Sequence, residues 1–151
     1  MIPSVVELET LIAAPLETVW SAVTNPDQLG RWFSDAAEID LRPGGEGTLT
    51  FGSRATNEPA TVRVLVESVE PPHRFAFRWD HPDGAQAREG NSLLVQFTLT
   101  AEDDDTRVRV VESGFHTLEQ SEAEKAESAE VHAKGWDIHV ANLRDHVEGR
   151  R

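Results

Sequence analysis

Few residues in this chain could do chemistry, and Glu112 is the sharpest of them. Counting back by twos to Val110 and Val108, it falls on the inward face of a strand, at that strand's end. An inward carboxylate there could anchor a polar ligand group or act as an acid or base. The alternative, slightly favoured by its terminal position, is a strand frayed to the rim with Glu112 in water. His139 is the second candidate, beside Trp136 and Val140; a surface or internally satisfied histidine is the more ordinary reading. His132, His139 and His146 recur every seven residues, but successive members rise by about 10.5 Å along a helix. One metal ion, with ligands about 2 Å away, cannot span that, and no HExxH-like pair is present. Neither a metal nor a cofactor is therefore expected.

Other reactive patterns are missing. The chain has no Cys and no Tyr, which removes thiol chemistry and one common acid and oxyanion donor. Gly44-Gly45-Glu46-Gly47 lacks the lysine and helix of a phosphate loop. Ser34, Ser53, Ser92 and Ser113 have no nucleophile-elbow context. The residues make no positive case for an enzyme. What they do supply is aromatic surface: Trp20, Trp32, Phe51, Phe77, Trp79, Phe97 and Trp136 all fall on apolar faces. Such a set suits a ligand pocket, although filling the core is the commoner role of a large ring.

The elements that must position these residues follow from periodicity. From about Leu118 to Val147 there is no Pro and one Gly, and Glu, Ala and Lys dominate, which favours a helix of about 28 residues and about 42 Å. Its second half carries Trp136, Val140, Leu143 and Val147 on one stripe. The acidic stretch Glu119 to Glu130 suits the positive end of the helix dipole. So long a helix needs a broad partner surface. Ser4 to Ile12 alternates as a half-buried strand. Pro15 to Val23 and a segment opening at Asn25-Pro26 read as two short helices, the first with Leu16, Val19, Trp20 and Val23 inward, the second with Leu29, Trp32 and Phe33. Strands follow at Ala36 to Arg42, Thr48 to Phe51, Ala60 to Val69, His73 to Asp80, Leu93 to Leu99 and around Val108 and Val110. Gly52 to Pro59 and His81 to Asn91 read as loops between them. Hairpin-length links imply antiparallel pairing. The class is α+β: a curved antiparallel sheet of about six to seven strands around a long C-terminal helix, with two short helices after the first strand.

Composition narrows the partners. The 151 residues make one domain, with 27 acidic against 14 basic residues and a formal charge of −13. That balance disfavours nucleic acid and anionic membrane. No apolar run of signal-peptide or membrane-spanning length occurs, so a soluble, cytoplasmic protein is expected.

Read in order, Ile12-Ala13-Ala14-Pro15 with Val19-Trp20, Asn25-Pro26 and Arg31-Trp32-Phe33 resemble the opening signature of the SRPBCC (START-like, helix-grip) superfamily. Arg42-Pro43-Gly44-Gly45, Glu70-Pro71-Pro72 with Phe75-Ala76-Phe77-Arg78-Trp79, Glu112-Ser113-Gly114-Phe115, and Gly135-Trp136 with Leu143 resemble its activator of heat-shock protein 90 ATPase homologue-like branch. The resemblance covers essentially the whole chain. It implies a cavity between concave sheet and terminal helix, and a link to stress response. The corresponding expectation is non-catalytic binding of a small, largely hydrophobic molecule by the seven aromatics above together with Glu112 and His139. Two alternatives stand beside it. Some relatives are cyclases, hydrolases or self-sacrificing resistance proteins, which would need polar groups inside. A homodimer or a chaperone or other protein partner is the third class, with Glu119 to Glu130 as its surface. Chaperone activation itself is not carried over, because the eukaryotic co-chaperones use an additional domain. The chain also has His146-Val147 where the family often has Tyr-Leu.

Overall fold

The computed structural model describes residues 5–51, 60–79, 91–118 and 121–149. Its elements run β1 (Val5–Ile12), α1 (Leu16–Thr24), α2 (Pro26–Trp32), β2 (Ala36–Ile39), β3 (Glu46–Phe51), β4 (Ala60–Glu70), β5 (Arg74–Trp79), β6 (Leu93–Glu102), β7 (Asp105–Ser113), a 3-10 turn (Phe115–Thr117) and α3 (Glu122–Glu148). Among the described residues the strands form one curved antiparallel sheet in the order β1-β7-β6-β5-β4-β3-β2. Every neighbour is a hairpin partner except β1, which closes back on β7. This is the α+β helix-grip arrangement expected from the sequence. The loops expected at Gly52 to Pro59 and over most of His81 to Asn91 lie outside the described residues.

Local chemistry explains the boundaries. Asn25 caps α2 by accepting the Asp27 N–H at 2.9 Å, with Pro26 at the first helical position. The long helix starts at Glu122 rather than near Leu118 because Ser121 forms a capping box with Glu124. It ends at Gly149, whose φ of 75° is the left-handed cap that glycine adopts without strain. β2 stops at Ile39, short of Arg42, because Arg42 and Gly45 turn back onto Asp40 and Arg42.

The mixed pattern of β4 has a physical origin in its pairing with β5. Val64 faces Trp79 and Val66 faces Phe77, but a bulge between Val66 and Ser68 shifts the register so that Val69 faces Phe75. One extra residue reverses the alternation, which places all three valines on the helix side of the sheet.

The core lies between the concave face and α3, which buries Ala129, Trp136, Val140 and Leu143 and packs along β1. Val147 is half-buried against the same cluster. The sheet contributes Phe75, Phe77, Val95, Phe97, Val108 and Val110. No helix among the described residues is long and apolar enough to cross a membrane.

Candidate functional site

Glu112 is not frayed into solvent. Its side chain is fully buried, with relative exposure of 0%, on a rung of β7 that pairs with Val6 on one side and Val95 on the other. A carboxylate in such a place is costly unless its oxygens are occupied. Three donors occupy them: Trp79 Nε1 donates to Oε2 at 2.5 Å, Trp136 Nε1 donates to Oε1 at 2.8 Å, and His132 Nδ1 lies 2.8 Å from Oε1. The two indoles can only donate, so Glu112 accepts from both, and His132 donates the third bond in the tautomer that carries its proton on Nδ1. The group ties β7, β5 and α3 together from beneath the helix. Strand continuity explains the outcome, since β7 keeps its ladder with β1 and β6 through Ser113.

Above this group, between α3 and the β3–β5 end of the sheet, is a cleft of about 230 Å³. Phe51, Val62 and Trp79 line it from the sheet. Val131, His132, Gly135, Trp136 and His139 line it from the helix, at spacings of three and four that keep them on one side. No Lys, Arg, Asp or Glu is among these lining residues.

His139 stands edge-on to Phe33, with ring centroids 4.8 Å apart, and 5.5 Å from the Trp136 ring. Its Nδ1 is buried and has no hydrogen-bond partner among the described residues. Burial pushes its pKa down to about 4, against the pull of Glu112 and with a smaller push from His132. The ring is therefore neutral near pH 7, with one nitrogen to donate and one to accept.

The nine sequence candidates do not form one site. Phe51, Trp79, Trp136 and His139 meet at the cleft, and Glu112 sits under it. Phe77 and Phe97 are stacked core rings, 6.5 Å apart. Trp32 is also in the core, where Nε1 donates to the Ala22 carbonyl at 2.7 Å and the ring stacks on Phe33. Trp20 is half-buried on α1, away from the cleft, packed against the core from outside. The middle of the space expected to be open is taken up by rings: Phe33 stacks on Trp136 at 5.5 Å and on Trp79 at 5.6 Å. His132, Val62, Val131 and Gly135 also line the cleft, and Phe33 stands against His139. His132 carried a readable signal, one helical turn before Trp136. Of the three heptad-spaced histidines, His132 and His139 border the cleft, whereas His146 lies 3.2 Å from Gln28 near α2.

A family model described as Activator of Hsp90 ATPase homolog 1-like protein matches residues 13–148. Among solved structures, a Bacillus halodurans protein is similar at 27% identity, covering 97% of this chain and 98% of that one, with a TM-score of 0.72. DynU16, a putative protein in the dynemicin biosynthetic locus, is similar at 26% identity over 98% of this chain and 49% of that one, with a TM-score of 0.74. The Aha1 dimer from Colwellia psychrerythraea shares the fold at 17% identity, covering 95% and 96% of the two chains, with a TM-score of 0.73. No curated protein matches the chain significantly.

Proposed function

The chain belongs to the Activator of Hsp90 ATPase homolog 1-like family, and on that premise we propose that it holds one small, largely apolar molecule in the cleft between α3 and the sheet without transforming it. The observation that carries this reading is His139 Nδ1, a buried polar atom with no partner among the described residues, beside a lining of aromatic and aliphatic side chains. An unsatisfied buried nitrogen costs about 1–3 kcal/mol, and a turn of the His139 ring towards the cleft it lines lets a ligand's polar group supply the missing partner. Most ligand pockets have this composition, apolar walls with a few placed polar groups. Binding rather than turnover is supported by Glu112, the carboxylate beneath the cleft, whose two oxygens are both engaged by the protein itself.

The test uses a neutral fluorescent probe, N-phenyl-1-naphthylamine, followed by fluorescence and by native mass spectrometry. The proposal expects saturable one-to-one binding to the folded protein. Linear, non-saturating uptake sinks it.

One observation favours a second reading. Glu112 holds His132 by its Nδ1 at the edge of the cleft, an arrangement that also orients an imidazole for general acid–base work. A bound molecule that turns over, with turnover lost but binding kept in His132→Gln, would select that reading over simple binding.

A further inference from the structure

Gly135 has no packing reason to be glycine. It lies at the centre of α3, thirteen residues from either end, with none of the positive φ that marks Gly44, Gly114 and Gly149. A glycine there weakens a helix by roughly 0.5–1 kcal/mol relative to alanine. Close packing explains some such glycines, as at Gly47, where an added Cβ would come within 2.4 Å of the Glu38 carbonyl oxygen. At Gly135 an added Cβ meets no atom of the described residues within 4 Å. The space it would enter is the cleft.

From this, and resting on the binding function proposed above, we infer that Gly135 sets what the cleft admits: a flat, uncharged ring system lying over its bare backbone, with a hydroxyl or carbonyl on His139 Nδ1. Each part has its own observation. Four of the residues lining the cleft with Gly135 are ring-bearing, Phe51, Trp79, Trp136 and His139, which suits a planar partner. Among the described residues the lining has no cation to pair with an anionic ligand, and Glu112 already has three partners, so it does not serve a cationic one. A charged ligand would be desolvated there without compensation. A cavity of about 150 Å³ accommodates benzene, so the cleft of about 230 Å³ has room for about two fused rings.

Three probes of one size, 2-naphthol, naphthalene and 2-naphthoate, separate these statements when titrated by calorimetry against the wild type, Gly135→Leu and His139→Phe. One hydrogen bond is worth a factor of about 2–12, so 2-naphthol should bind that much tighter than naphthalene. The advantage should vanish in His139→Phe. The anion 2-naphthoate should bind at least about tenfold more weakly than naphthalene. Gly135→Leu should lose all three probes while its thermal unfolding shows an intact fold, because leucine favours a helix more than glycine does. Unchanged binding in Gly135→Leu, naphthoate binding as tightly as naphthalene, or a naphthol preference that survives in His139→Phe overturns the inference. If wild type binds N-phenyl-1-naphthylamine but none of the three probes, this inference fails and the binding function stands. If it binds none of the four, both fail.

Discussion

Replacing Glu112 by Gln should destabilise the fold by about 2 kcal/mol, and the way it does so is specific. The amide keeps the side chain's shape but only one acceptor oxygen. Placed where Oε1 stands, that oxygen still accepts from Trp136 and His132, and the amide nitrogen then points at the Trp79 N–H. One buried donor faces another donor, and an orphaned buried donor costs about 1–3 kcal/mol. The reverse orientation opposes the Trp136 N–H instead, with His132 accepting from the amide in its other tautomer, so one donor is orphaned either way. At this chain length about 2 kcal/mol lowers the melting temperature by roughly 4–8 °C. Glu112→Leu orphans all three donors and should cost about 3–5 kcal/mol, the usual range for removing one member of a buried polar cluster. Thermal unfolding by circular dichroism and urea titration at pH 7 give both values. The mechanism itself is read from a double-mutant cycle. In a Trp79→Phe background the opposed donor is gone, so Glu112→Gln should become nearly neutral. Equal costs in both backgrounds, or a Glu112→Gln protein within about 0.5 kcal/mol of wild type, would refute the argument.

The pKa of His139, lowered from 6.5 to about 4, gives a pH dependence of definite sign. Between those values the unfolded imidazole carries a proton that the folded one lacks, so stability falls as pH drops from about 6.5 towards 4. The ceiling is about 3 kcal/mol, reduced because the ring is partly exposed; the difference between wild type and His139→Phe melts across that window isolates it from carboxylate titration. Two glycines should respond in opposite directions to alanine, measured by urea unfolding. Gly45→Ala should lose about 2 kcal/mol or more, since the new Cβ would lie 2.0 Å from the Asp40 carbonyl oxygen. Gly135→Ala should gain about 0.5–1 kcal/mol as it narrows the cleft. Trp32→Phe should cost about 1–2 kcal/mol by orphaning the buried Ala22 carbonyl, and should leave probe binding unchanged.

The architecture was legible because its signals are local and periodic. The stripe Trp136, Val140, Leu143 announces a helix, and Leu93, Val95, Phe97, Leu99 a strand, whatever surrounds them. β4 was ambiguous because a bulge, set by pairing with β5, reverses parity midway; single-strand alternation carries no record of a partner. The site was legible only in pieces. Counting by twos put Glu112 inside, but whether it met water or donors depended on Trp79, 33 residues away, and on two residues of α3. His132 stands out in the sequence only as one of three heptad-spaced histidines, and nothing in that spacing shows that one of them meets a carboxylate on another element. Trp20, Trp32, Phe77 and Phe97 have the same sequence character as Trp79 and Trp136. Their separation into core and cleft comes from how α2 brings Phe33 between sheet and helix.

The indole N–H signals of the four tryptophans test the central claim most directly, read in a ¹H–¹⁵N spectrum during titration with N-phenyl-1-naphthylamine. Trp79 and Trp136 border the cleft, whereas Trp20 and Trp32 lie away from it. Saturable shifts at one equivalent for the first two, with the second two unmoved, are the predicted result. Shifts spread evenly over all four, or confined to Trp20 and Trp32, would contradict it.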